Sequence, residues 1–259
     1  MADRLYLSSY LERRGYSGMS DGAPLHDPDI VGARESLKAD EDSFFVNALI
    51  TFASCINSIN KNNYSWAFVQ SYYGLFYIAK SLLASSDYAV YYQERKTPFS
   101  IKLSKGECFH KAKGNSHQVV LELYKKVFSG NSFLMDEING IQAIDWFEEC
   151  RNKINYRTNP FPDPQAPMPI YAYEDDLRKK VMDYRENSVY ATDEEHAYVA
   201  YILRLLDYEL HLYQDNDRKN RFLTDTVIAH LRSNISDKSG PLSFYIKELT
   251  SIKILSKPE

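Results

Sequence analysis

Apolar residues recur every three or four positions along most of this chain, and that period predicts helices. FFVNALITFASCINSI, capped by Asp42 or Ser43, predicts a first core helix running to about Ile59. It is apolar nearly all round, the pattern of a central helix. Asn62-Asn63 breaks it, and YSWAFVQSYYGLFYIAKSLLAS predicts a second helix returning as an antiparallel partner. There Trp66, Val69, Tyr73, Phe76, Tyr77 and Lys80 keep one spacing, so the Lys80 stem should pack on that face with its ammonium in water. Ser116 caps HQVVLELYKKVF, a third helix ending at Ser129-Gly130, and a fourth is expected from about Phe133 to Tyr156. Further helices are expected over Asp175 to Asn187, Asp193 to Gln214 and Arg218 to Ile235, with a last short one after Ser239-Gly240-Pro241. Arg204 and Asp207 are embedded in the strongly apolar run AYVAYILRLLDYELHLY.

Three stretches depart from the helical period. Leu5 to Arg14 suits a short helix or an arm, and GYSGMSDGAPLHDPDIVG after it reads as a surface loop. His26 beside Asp27 and Asp29 does not complete a ligand set there, so no metal is expected. Residues 87–113 alternate around Pro98 and suit a short hairpin or an ordered loop. PFPDPQAPMP, after Asn159, is rigid non-helical chain. The organisation expected is an arm and loop over 1–41, a helical bundle over 42–160, a proline-rich connector over 161–172, and a helical extension over 173–259 packed on the bundle. The fold class is all-α, with a small irregular or β-hairpin insertion and an added C-terminal helical layer.

Composition changes this picture little. The chain has 259 residues, 44% hydrophobic and 25% charged, as in ordinary globular proteins. Its 10 Gly and 10 Pro favour long helices over many turns, and its 21 Tyr suit interhelical grooves and interfaces. A net charge of −4 excludes a global positive field that would draw the protein onto nucleic acid. Cys55, Cys108 and Cys150 have no metal or redox spacing and fit a reducing cytoplasm. The N-terminal residues do not resemble a signal peptide, and no membrane span and no cofactor are expected.

One region is locally basic. Arg95, Lys96, Lys102, Lys105, Lys111 and Lys113 face only Glu107, with Phe99 and Phe109 interleaved. Basic residues with aromatics can hold a single strand by phosphate contact and stacking; a solvated lysine-rich loop has the same composition. The other chemistry lies in DWFEECRNKINYR, residues 145–157. Glu148, Arg151 and Asn155 share one helical face there, and Asn159-Pro160 ends the helix. An intrahelical pair between Arg151 and Glu148 or Asn155 is the plain structural role for that arginine.

SYYGLFYIAKSLL followed later by a helix ending in RNKINYR resembles the HEPN superfamily of prokaryotic helical domains. The first segment is similar to the Tyr-rich helix of that group, the second to its Arg-polar-x-x-x-His element. The likeness spans roughly residues 42–160. It implies a homodimer whose paired motifs line one cleft, and metal-independent RNA cleavage in defence or toxin–antitoxin systems. Other members bind nucleotides, RNA or proteins without catalysis. On the matching positions, Arg151 stands for the family Arg, Asn152 for the polar residue and Tyr156 for the His. The Tyr is a departure with chemical weight. Imidazole titrates near neutrality and serves as acid or base, whereas a phenol with a pKa of about 10 is a poor base but still a hydrogen-bond donor. The expected catalytic set is Arg151, Asn152 and Tyr156, with Lys96, Lys102, Lys105, Lys111, Arg157 and Tyr73 holding RNA. The alternative is a non-catalytic helical adaptor that docks a protein partner from the same operon through its Tyr-rich surfaces.

Overall fold

The apolar periods build a mainly helical protein with a small antiparallel sheet. The structure, a computed structural model, describes residues 5–93, 97–132, 134–154, 163, 177–214, 224–234, 243–244 and 246–247. It divides into two units, residues 1–45 with 76–131 and residues 46–75 with 132–259. Two long helices, α2 (Asp27–Asn60) and α3 (Tyr64–Ser85), contribute to both. They form the expected antiparallel hairpin, turned at Asn62 in a left-handed conformation (φ 57°). In the first unit Ser81 Oγ donates to the Glu41 carbonyl at 3.3 Å; in the second Ser58 Oγ donates to Gln70 Oε1 at 2.7 Å.

In the first unit, α2 corrects the expected start. It begins at Asp27, not at Asp42 or Ser43, so the tail of the supposed surface loop is helical. Asp27 and Asp29 lie in the first turn, where acids favour the positive helix end, and Pro28 sits where its missing N–H costs nothing. α1 (Tyr6–Arg13) precedes it. Asp40 of α2 accepts from the backbone N–H groups of Tyr6 (2.8 Å) and Leu7 (3.0 Å), two of the orphan donors at the start of α1. Leu7 and Leu11 of α1 pack with Ile30, Ala33 and Leu37 of α2.

The chain between α1 and α2 is tied down by Asp29. Its carboxylate accepts from the Arg14 guanidinium at 2.5 Å and the Tyr16 hydroxyl at 2.9 Å. Burial raises the Asp29 carboxyl, but these two donors outweigh it and hold it below its ordinary value. Asp27 pairs instead with Lys105 at 3.2 Å. Among the described residues no three His, Cys, Asp or Glu groups come together as a metal site.

Within the stretch 87–113, β1 (Tyr88–Gln93), β2 (Thr97–Lys102) and β3 (His110–Lys111) form a three-stranded antiparallel sheet in that order. Ala89 pairs with Ile101 and Tyr91 with Phe99, and these four belong to the same core as Leu7 and Leu37. The hairpin expectation holds here because alternation puts one apolar face on a core. α4 (Ser116–Phe128) follows. Its cap is Asn115, one residue before the expected Ser116, in a reciprocal capping box with Gln118.

In the second unit, β4 (Glu137–Ile138) and β5 (Ile141–Gln142) occupy ground expected to be helix. The helix bearing the 145–157 motif is correspondingly shorter, α5 (Ala143–Asn152). Downstream come α6 (Leu177–Glu186), a 3-10 turn (Ser188–Ala191), α7 (Ala197–Gln214) and α8 (Asp225–Asn234). Asp193 sits in the turn before α7, which opens at Ala197 rather than at Asp193; Ala197 N–H donates to the Asp193 carbonyl at 2.7 Å. Every residue from Ala197 to Leu203 is fully buried, so the first two turns of α7 are buried around their circumference.

Tyr198 is the centre of that packing, with ring centroids 4.0 Å from Phe68 and 5.5 Å from Phe147. Its burial and that of Tyr72, Tyr91, Tyr124 and Tyr201 shows where much of the Tyr excess goes, into the two cores. α3 is correspondingly mixed in face. Trp66, expected on the packed face, is 59% exposed, while Ala67, Phe68, Tyr72 and Leu75 are buried. A helix apolar on most sides does not name its own buried face. α2 is the one described helix long and apolar enough to cross a membrane by length and composition, and 56% of its most apolar window is buried.

Candidate functional site

Arg151 and Asn152 form the C-terminal turn of α5, where the negative end of the helix favours a cation. The backbone then leaves the α-helical path in a π-type turn at 153–154. Arg151 Nη1 donates to Asn152 Oδ1 at 3.0 Å, and its guanidinium carbon lies 5.1 Å from the centre of the Tyr72 ring. A guanidinium over an aromatic face is held by the ring quadrupole without losing all of its N–H donors. Tyr72 is fully buried; burial, then the neighbouring Glu148 charge, pushes its hydroxyl well above the ordinary value, against the Arg151 charge. Tyr72 is therefore a neutral platform at neutral pH.

Tyr73, expected at the site, lies one ring further out, edge-on to Tyr72 with centroids 5.7 Å apart, and is half-buried. Tyr72, not Tyr73, is the ring that meets Arg151; the Tyr stripe pointed to the helix but not to which of its rings does so. Glu149 does not orient Arg151 but pairs with Lys153 at 3.1 Å. Burial pushes the Cys150 thiol up to about 12, which keeps it protonated and a poor nucleophile. Tyr156, Arg157 and Asn155 lie outside the described residues, and so does Lys96.

The remaining basic residues belong to the first unit, whereas Arg151, Asn152 and Tyr73 belong to the second. Lys102, on β2, lies 5.4 Å from the Tyr88 ring centre. With Ser100, His110 and Lys126 it lines an open cavity of about 290 Å³, which Glu107 also borders. Lys111 is exposed on β3, its backbone N–H donating to Asp21 Oδ1 at 2.8 Å. Lys105 is exposed too, but its charge is matched by Asp27. Two cations and a histidine around a polar hollow can hold a phosphate; a pair such as Lys105–Asp27 contributes little.

Lys80 is half-buried, and its ammonium sits 3.7 Å from the centre of the Phe44 ring and 5.7 Å from that of Phe76, against the expectation of a head free in water. Only the tertiary packing of α2 against α3 could reveal this, since the spacing of α3 alone puts the stem on an apolar face and leaves the head free.

Comparisons with protein-family models, with curated proteins and with solved structures each find no match for this chain.

Proposed function

We propose that this is an RNA-directed protein of the HEPN type, of a prokaryotic defence or toxin–antitoxin system. In this reading it is a cytoplasmic homodimer and a candidate metal-independent endoribonuclease. The observation that carries it is the contact between Arg151 and Tyr72: the two segments that bear the resemblance lie against each other. Arg151 supplies charge to a scissile phosphate, where its planar fork matches two oxygens. Asn152 holds that fork, and Tyr156 donates a hydrogen bond in place of the usual imidazole. The polar hollow at Lys102, His110 and Lys126 supports contact with a backbone phosphate elsewhere on the chain.

The test is incubation with total RNA and short single-stranded RNAs in EDTA, beside Arg151→Ala and Tyr156→Phe. Cleavage that survives EDTA and is lost in both variants is expected. A folded wild type that leaves RNA intact overturns the nuclease reading.

One observation favours the second reading, a non-catalytic adaptor for a partner protein of the same operon. Lys105, one of the four lysines expected to hold RNA, pairs with Asp27. Light scattering of the protein alone and with the products of adjacent genes tests it; a monomer that binds none of them excludes it.

A further inference from the structure

In the first unit, α1, α2, α3 and β1 wall a cavity of about 60 Å³ that contains Lys80, Asp40 and Tyr92. A water needs about 10–15 Å³ and benzene fills about 150 Å³, so the space suits a molecule of about two to four carbon atoms. Its walls are mostly apolar, from Leu7, Leu37, Phe44 and Phe76 among others.

The polar groups in this wall do not satisfy one another. Among the described residues nothing accepts a hydrogen bond from the Lys80 ammonium, and no carboxylate lies within ion-pair distance; its near neighbours are the faces of Phe44 and Phe76. Asp40, the carboxylate on the same cavity, is engaged by the first two N–H groups of α1. The Tyr92 hydroxyl is buried and has no hydrogen-bond partner among the described residues. Two donors without acceptors facing an apolar space is an arrangement that costs stability unless something fills it.

We propose that this cavity binds a small neutral carbonyl compound, an aldehyde or ketone, which the Lys80 amine takes up as a reversible imine. The ligand supplies an acceptor oxygen within reach of these donors and an apolar body that the cavity fits. Net neutrality follows from the lining: Asp40 disfavours an anion and Lys80 a cation. The step balances without an oxidant or reductant. The Lys80 nitrogen attacks the carbonyl carbon and a C–N bond forms. The carbonyl oxygen then leaves as water, carrying both amine protons, and a C=N bond remains.

The amine must be neutral to attack. Burial lowers Lys80 to about 8, against the opposing pull of the Asp40 charge, so about a tenth of it is neutral at pH 7. The other titratable groups that line the cavity are Asp40 from α2 and Tyr88 and Tyr92 from β1; the lining residues of α1 and α4 carry none.

The experiment is reductive trapping of the full chain. Propanal and cyanoborohydride are added at pH 7, and modified lysines are located and timed by peptide mass spectrometry. Lys80 is expected to be alkylated on the order of a hundred-fold faster than exposed Lys105 and Lys111, because about a tenth of it is neutral at pH 7 against about four in ten thousand of an ordinary lysine. Benzaldehyde, too large for the space, should not show that preference. Lys80→Met is close in volume and forms no imine, so it should lose the fast event while the slow ones persist. Labelling of Lys80 no faster than of the exposed lysines overturns the proposal, as does an equal preference with benzaldehyde.

Discussion

The guanidinium of Arg151 rests on the face of Tyr72, 5.1 Å from the ring centre, and so joins the end of α5 to the middle of α3. The relationship has consequences for both partners. Tyr72 is a core residue whose hydroxyl stays protonated, so it presents a ring face rather than a charge. Arg151 gains a fixed direction while the residue stays half-buried.

Separate effects on stability and on RNA chemistry follow for this pair. Arg151→Ala removes the cation–π contact with Tyr72 and the hydrogen bond to Asn152, and should cost about 1 kcal/mol in urea denaturation. In the proposed role the same change abolishes RNA cleavage. Tyr72→Leu should cost more, about 1–3 kcal/mol, because a buried ring is lost. A loss above about 3 kcal/mol in Arg151→Ala would show instead that the arginine is a structural strut.

The turn between β4 and β5 depends on backbone handedness. Asn139 (φ 52°) and Gly140 (φ 74°) are both left-handed, the requirement of the tight hairpin turn that Asn-Gly favours. Gly140→Ala meets no steric neighbour, so the strain is conformational alone. It should destabilise the protein by about 1 kcal/mol, and Asn139→Gly by far less. Thermal unfolding of the two variants checks the order.

That hairpin also shows where sequence reading stops. Asn139-Gly140 is a strong turn signal, but the apolar residues around it fit a helical period as well, and that period was extended across it. Asp27-Pro28 misled in the opposite direction: a proline at a helix start resembles a proline in a loop until the acids beside it are counted. The alternation of Ala89, Tyr91, Phe99 and Ile101 was legible because one face of a sheet must be apolar and the other need not be. In the candidate site, Arg151 and Asn152 were legible as the end of one helix. That Tyr72 rather than Tyr73 underlies Arg151 was not, because both rings are apolar with a polar tip. The direction of the Lys80 ammonium depends on Phe44, thirty-six positions away in the numbering of the chain, and no local pattern encodes it.

Arg185 of α6 and Asp207 of α7 form a two-pronged pair, with Nε 3.1 Å and 3.2 Å from the two carboxylate oxygens and Nη2 2.9 Å from one. Both side chains are largely covered, at 16% and 21% exposure, so screening is weak. Asp207→Ala leaves a covered guanidinium without its carboxylate and should cost about 2–4 kcal/mol. Asp207→Asn keeps the shape and part of the hydrogen bonding and should cost less. Urea midpoints at low and high salt distinguish this pair from an exposed one: the loss should persist at high salt.

Lys80 gives a pH signature with a fixed sign. Its value in the folded protein is about 8, against an ordinary 10.5 in the unfolded chain, with burial the largest cause. Between those two values the unfolded chain holds a proton that the folded chain has released, so folding stability rises with pH across that window. Below about pH 8 both states are protonated and the full cost of the buried ammonium is present. Lys80→Met, close in volume and without charge, should therefore be more stable than the wild type at pH 7, on the order of 1–3 kcal/mol. The advantage should shrink steadily as the pH rises from about 8 to about 10.5, because the wild type recovers the cost when the amine is neutral. Asp40 and the exposed lysines and tyrosines are common to both proteins, so their own titrations largely cancel in the difference between them. Denaturant midpoints for both proteins at half-unit steps of pH measure it. A difference that does not change with pH would place the ammonium in water and remove the basis for an amine that reacts at neutral pH.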